Sequence, residues 1–345
     1  MNAATIAFGS RRIGKGEPVT VIAEIGINHE GNVDACARMI DAAARAGADA
    51  IKLQTIDADE NYVEGTASHT LFAGAELTPE DTGKMFAHAR KKGMEALTTA
   101  GDFATLDWVD RLAPAAHKIS SGLLNNTPLI RAAARTGRTL LISTGMAEAH
   151  DIDLSVKAAR DAAASGLGLF QCTSLYPAPP ELLHLATIAW LSQRYDVPAG
   201  FSDHSIGPEA AALSVAAGGC MIEKHITLDV TRPGFDHAIS LDENGFSEMV
   251  RRVRSAEAML GTPVKSRTTV EAERAKALRR VVVARRDIVA GEVLGWDALG
   301  LKRQMPGVGG MSPSAADLLL GRRTRRAISR NEPVGFADLE PSPPR

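Results

Sequence analysis

Eight short apolar runs rich in β-branched residues, separated by segments of helical periodicity, constrain the fold of this chain more than any other feature. The runs are 19–25 (VTVIAEI), 50–55 (AIKLQT), 95–100 (EALTTA), 116–121 (AHKISS), 139–144 (TLLIST), 167–174 (LGLFQCTS), 198–204 (PAGFSDH) and 221–227 (MIEKHIT). Helical patterns at 33–46, 79–92 and 209–217 lie between them. Eight strand–helix units in about 240 residues predict an α/β fold, a (β/α)8 TIM barrel. A doubly wound open sheet is the alternative, and no GxGxxG follows the first run to favour it.

A further amphipathic helix over 245–260 closes the barrel, so residues 1–260 read as the catalytic domain. Residues 261–279 are polar and read as a linker. The remainder, 280–345, reads as a small β-rich domain with RVVVARRDI, a turn at Ala290-Gly291, EVL and a PGVGG loop. A module of this size buries only about 60% of its unfolded surface. It is expected to lean on a barrel, its own or a partner's. The final EPSPPR reads as a frayed tail.

Composition excludes several classes. Hydrophobic residues at 45% and charged residues at 23% are those of a globular chain. The net charge of −2 hides an asymmetry: 279–345 carries 12 Lys/Arg against 7 Asp/Glu, and 1–278 carries 27 against 34. That balance argues against a uniform grip on nucleic acid and suits a basic tail meeting an acidic body or an anionic substrate. Cys36, Cys172 and Cys220 are too widely spaced for a disulfide framework or a CxxC metal site. No signal peptide opens the chain and no apolar run is long enough to span a membrane, so a cytoplasmic location is expected.

Side chains two apart on a strand share a face, and barrel interiors are apolar unless used. The polar residues near the strand ends therefore carry the argument. Glu24 lies near the end of the first strand, Lys52 and Gln54 share a face of the second, and Lys118 on the fourth is followed by the Ser120-Ser121-Gly122 turn. Ser202 and His204 share a face of the seventh strand, as do Glu223 and His225 of the eighth. Adjacent strands lie about 4.8 Å apart, so His204 and His225 can share a divalent ion, with water and substrate completing its shell. Satisfied core histidines are the plainer alternative for each residue alone. Lys52 and Lys118 suit either ion pairs with Glu24 and Glu223 or an anion clamp. Thr99, Ser121, Ser143 and Ser174, each at a strand end, extend the second reading. His117 faces away from Lys118 and reads as structural, Cys172 reads as core, and Tyr176 before Pro177 reads as a loop anchor or a sugar contact.

The stretches AEIGINHEG (23–31), IKLQT (51–55), KISSG (118–122), STGM (143–146), CTSLYP (172–177), GFSDHSIG (200–207), IEKHITLD (222–229) and RPGFDHAIS (232–240) resemble the sialic acid synthase family. That family comprises N-acetylneuraminate, legionaminate and pseudaminate synthases. The blocks stand in family order, and LRRVVVARRDIVAGEVL with PGVGGMSP resembles its antifreeze-like (SAF) domain. The resemblance implies a transferase that condenses phosphoenolpyruvate with the open-chain aldehyde of an N-acyl hexosamine, giving a nonulosonic acid and phosphate. It implies Mn2+, with Mg2+ or Co2+ as alternatives, on His204 and His225. It assigns phosphoenolpyruvate to Lys52, Thr99, Lys118, Ser121, Ser143, Ser174 and Ser202. The sugar or a metal-bound water falls to Glu24, Gln54, Tyr176 and Asp236, and Glu223 lies near the reacting carbons. A domain-swapped homodimer is implied, the SAF domain of one chain capping the barrel of the other.

Three departures from the family pattern stand out. Leu123 follows KISSG where an acidic residue is usual, Arg303 precedes the tail Pro-Gly by two residues more than usual, and Thr99-Ala100 replaces Thr-Pro. CTSLYPAP leans toward the pseudaminate and legionaminate type, acting on diacetamido-trideoxy hexoses rather than N-acetylmannosamine. The reading from another class is a non-catalytic sugar-binding protein on a degenerate barrel.

Overall fold

The structure, a computed structural model, describes residues 5–305 and 307–341. The chain divides into two compact units, Met1–Gly261 and Thr262–Arg345. The first opens with a hairpin, β1 (Ile6–Phe8) and β2 (Arg11–Ile13), followed by eight parallel strands. These are β3 (Thr20–Gly26), β4 (Ala50–Thr55), β5 (Glu95–Ala100), β6 (His117–Ile119), β7 (Leu140–Ser143), β8 (Leu167–Cys172), β9 (Ala199–Asp203) and β10 (Met221–His225). They close into a barrel in chain order, with β10 pairing β3. The predicted runs locate every barrel strand; the structure trims the C-terminal ends of β6, β8 and β10 by two residues each, because the chain there turns into the βα loops, and carries β3 one residue further.

The helices outside the barrel are α1 (Val33–Ala46), α2 (Ala58–Asn61), α3 (Ala67–Ala73), α4 (Pro79–Lys91), α5 (Phe103–Arg111), α6 (Thr127–Arg135), α7 (Ala149–Asp161), α8 (Thr187–Tyr195), α9 (Glu209–Ala216) and α10 (Glu243–Leu260). Their starts follow sequence chemistry. Asn32, Thr78, Asp102, Asn126 and Asp242 each accept a backbone N–H from the first turn of their helix. The longer helices bury an apolar face on the barrel's outer surface, as α1 does through Cys36, Met39, Ile40 and Ala43, whereas α3 buries no residue.

Inside the barrel the strand alternation stacks side chains in layers. The lower layer is Ile22, Ala50, Leu97, Ala116, Leu141, Phe170 and Met221, all buried, with Ile6, Phe8 and Ile13 of the hairpin packed against it as a plug. A side chain at Gly168 would collide with Ile6, Leu141 and Met221, so glycine makes room for the plug. The next position up each strand is Glu24, Lys52, Thr99, Lys118, Ser143, Cys172, Ser202 and Glu223. The interior is thus apolar below and charged above.

The second unit holds α11 (Thr269–Leu278) and an antiparallel pair, β11 (Arg280–Ala284) and β12 (Leu299–Arg303). Val282, Ile288, Leu294, Leu299, Leu319, Ile328 and Leu339 are in its own buried core. Two expectations need correction. The polar segment read as linker carries α11, because Thr268 and Glu271 form a reciprocal capping box at its start. EVL forms no strand, only an isolated bridge from Val293 to Arg323, and 3-10 turns at Pro313–Leu319 and Phe336–Asp338 replace part of the expected β structure. Pro306 of the PGVGG loop and residues 342–345 of the EPSPPR tail lie outside the described residues. No helix among the described residues is long and apolar enough to cross a membrane.

Candidate active site

At the C-terminal mouth of the barrel the upper layer forms one buried ionic cluster. Lys52 Nζ lies 2.8 Å from Glu24 Oε2 and 3.5 Å from Glu223 Oε1. Lys118 Nζ reaches Glu223 Oε1 at 3.4 Å and donates to Ser143 Oγ at 2.8 Å. Ser202 Oγ donates to Glu223 Oε1 at 3.3 Å, and Gln54 Nε2 to Glu24 Oε1 at 3.0 Å. The floor is Phe170, whose ring centroid lies 5.4 Å from Lys118 Nζ. Of the two readings of the lysines, the structure shows the ion pairs with Glu24 and Glu223, formed at the mouth of the barrel.

Burial raises the Glu24 carboxyl above the usual range even though Lys52 opposes it. Burial acts the same way on Glu223, but there the Lys118 and Lys52 ammoniums win and hold it low. Burial pulls the Lys118 ammonium down despite Glu223. The surroundings thus push the two carboxyls in opposite directions. Thr99 Oγ1 and Glu223 Oε2 are buried without a hydrogen-bond partner. Such orphans are costly in a finished core and ordinary where a ligand completes the set.

His204 and His225 rise beside this cluster on neighbouring strands, with ring centroids 5.5 Å apart. His204 Nδ1 lies 2.9 Å from the Thr173 carbonyl oxygen. A carbonyl can only accept, so Nδ1 carries a proton; burial disfavours the charged ring, but Cys172, that carbonyl and Glu223 outweigh it and raise the imidazole above its usual range. His225 is neutral, held well below the usual imidazole range by burial first and then by His204 and Lys52, and its Nδ1 is buried without a partner. Asp236 Oδ2 stands 3.7 Å from that atom. Tyr176 stacks on His204 at a centroid distance of 4.1 Å. Two imidazoles at neighbouring strand ends are nitrogen donors of the kind a divalent ion takes. No group of three or more His, Cys, Asp or Glu side chains arranged to hold a metal occurs among the described residues, so the histidine pair is the candidate set.

One pairing anchors both histidines from outside the barrel. Asp203 and Lys224 are opposite one another in the β9–β10 ladder, their side chains fully buried, with Lys224 Nζ 3.1 Å from Asp203 Oδ2. Asp203 Oδ1 also accepts the Ser205 N–H at 2.8 Å. Each member immediately precedes a candidate ligand. The sequence reading passed over this pair because its side chains face outward.

Cys172 is buried, as expected; its own strand carries no base, but His204 on the next strand lies 3.8 Å from its Sγ, so it lies in the wall of the mouth. A side chain at Gly145 would strike Cys172 and the hydroxyls of Ser121 and Ser174, so this glycine leaves a small cradle lined by both serines. Ser121 opens a 3-10 turn, not a strand end, and its Oγ accepts the Gly145 N–H at 3.0 Å. His117 is structural as expected, 3.1 Å from Asp110. Leu123 packs half-buried against the outer core. Arg303 ends β12 in the second unit.

The fold and the mouth together define a TIM-barrel protein with a buried lysine–glutamate cluster and two histidines at the C-terminal end of its strands. The chain belongs to the NeuB family, which it matches over residues 39–265, and it carries a SAF domain over 279–340. An uncharacterised protein of Methanocaldococcus jannaschii is 35% identical over 97% of this chain and 98% of its own. The N,N'-diacetyllegionaminic acid synthase of Legionella pneumophila is 31% identical over 93% and 94%. The crystal structure of N-acetylneuraminic acid synthetase from Leptospira borgpetersenii superposes with a TM-score of 0.76, at 32% identity, over 80% of this chain and 98% of that one.

Proposed function

We propose that this chain is a synthase that condenses phosphoenolpyruvate with the open-chain aldehyde of an N-acyl hexosamine, yielding a nonulosonic acid and phosphate. The observation that carries the reading is the placement of two histidines beside a buried two-lysine cluster. Membership of a family with relatives named as synthases of such acids supports it.

Lys52 and Lys118 grip the phosphate and carboxylate of phosphoenolpyruvate as point charges, helped by Thr99, Ser121, Ser143, Ser174 and Ser202. Burial matters here, since the same charges in water would be screened. His204 and His225 would hold a divalent ion, Mn2+ by family resemblance; when bound it polarises the aldehyde oxygen, an effect worth several kcal/mol in such sites. The enol carbon of phosphoenolpyruvate forms the new bond to the aldehyde carbon, water adds at the resulting C2 cation, and phosphate leaves. Glu223 lies against both lysines, where it can balance their charge while that cation develops. Glu24, Gln54, Tyr176 and Asp236 address the acceptor and the attacking water.

The acceptor is either N-acetylmannosamine or a diacetamido-trideoxy hexose. The CTSLYPAP segment and the Legionella relative favour the second. Phosphate release measured with each sugar in turn separates the two. Turnover with N-acetylmannosamine and none with the trideoxy sugars would reject the second reading.

Two chains are proposed to form a domain-swapped homodimer, with Arg303 of the SAF domain directed at the acceptor. A chain ending near residue 265 is expected to keep the barrel's circular dichroism and lose at least about tenfold in kcat/KM, the scale of one lost charge-assisted contact. Sedimentation should report a dimer for the full chain. Undiminished turnover from the shortened chain would refute the cap.

A further inference from the structure

The function inferred above leaves the Asn28 motif and most of RPGFDHAIS without a role. Asn28 is 2% exposed and sits just past the end of β3. Gly26, at φ 56°, produces a register shift against β4 and throws the chain into a turn closed by the Asn28 N–H on the Ile25 carbonyl at 2.9 Å. The side chain is thereby carried across to the segment that leaves β10. Its Nδ2 donates to the Ile226 carbonyl and to Ser240 Oγ, both at 3.0 Å, and its Oδ1 accepts the Asp236 N–H at 3.1 Å. The orientation of this amide is fixed by its partners, because a backbone carbonyl only accepts and a backbone N–H only donates. Ser240 Oγ in turn donates to the Asp236 carbonyl at 2.7 Å. Asp236 is therefore held at both its N–H and its C=O, through one buried amide. The outer edge of the same loop is pinned separately: Glu30 takes Arg232 at 2.7 Å and His237 Nε2 at 3.0 Å.

We propose that Asn28 is a positioning residue, whose buried amide clasps the 236–240 loop over the mouth and holds the Asp236 carboxylate opposite His225. The inference rests on the reading of function above. It follows from the short reach of an aspartate: with its backbone fixed at two points, the carboxylate stands 3.7 Å from His225 Nδ1. Freed backbone would let it swing into solvent. Asn28 touches no reacting atom and acts only through Asp236.

The test combines kinetics with hydrogen exchange on the full-length, Mn2+-loaded protein. Asn28→Ala is expected to lower kcat/KM for the acceptor about 10–100-fold, the range found when outer partners of a metal site are removed. In an Asp236→Ala background the same substitution should change kcat/KM by less than about twofold, since its route to the chemistry is already gone. The Asp236 amide should exchange faster in Asn28→Ala. Ser240→Ala cuts the clasp at its other end and guards against a folding defect in the first variant; it should show the same pattern more weakly. Multiplying losses in the double variant, or unaltered exchange at the Asp236 amide, would overturn the proposal. Absence of turnover in the unsubstituted protein would instead remove the functional reading, and the exchange arm would still decide whether Asn28 holds the loop.

Discussion

His225→Ala is expected to lower kcat for phosphate release from phosphoenolpyruvate by on the order of 1000-fold or more, with the barrel still folded. The size follows from the part assigned to the ion: several kcal/mol of barrier lowering, at a factor of ten for each ~1.4 kcal/mol. The selectivity follows from the structure. His225 is buried and neutral, and its Nδ1 has no hydrogen bond to lose. Removing it therefore deletes a lone pair without stranding a partner, and the cost to folding should be the modest one of a small polar cavity. Mn2+ titration of the variant, followed by electron paramagnetic resonance, should show weakened binding whether or not a sugar is present. Near-normal turnover with added metal would sink the assignment of this residue.

The second large effect is on stability. Asp203→Ala leaves the Lys224 ammonium fully buried with only the Ser205 carbonyl beside it. Breaking one side of a buried pair costs roughly 3–5 kcal/mol, whereas replacing both sides by apolar groups of similar size is often neutral. Denaturant unfolding of the barrel should show that loss for Asp203→Ala, and Asp203→Leu combined with Lys224→Met should recover most of it. A single-substitution cost below about 1 kcal/mol would mean the pair does not brace the two histidine strands. The contrast between the pair and its halves is the diagnostic, because a general packing defect would worsen in the double variant.

These two predictions depend on residues that the sequence revealed unequally. The barrel was legible because its strands repeat a strong local signal, and the inward residues because alternation assigns a face to each position. Glu24, Lys52, Lys118, Glu223, His204 and His225 converge as that alternation requires. What alternation cannot supply is the partner across a ladder, so Cys172 read only as core when His204 was one strand away. The hairpin β1–β2 escaped notice because three-residue strands are too short to display a period. The helix α11 did leave a signal, the Thr268-x-x-Glu271 capping box, which the polar composition of its surroundings obscured. Asn28 left none: its contacts join residues 198 and 212 positions apart through a side chain that carries no periodicity.

Under the proposed function this mouth joins two carbon skeletons and does not merely bind a sugar. The measurement closest to it is the mass of the product formed from phosphoenolpyruvate, Mn2+ and a panel of N-acyl hexosamines, with inorganic phosphate followed in the same reaction. The account predicts phosphate release that requires both substrates and the metal, and a product heavier than its hexosamine by the elements of pyruvate. Tight sugar binding to folded, metal-loaded protein, with no phosphate and no new mass across the panel, would contradict it and leave a binding protein on a barrel.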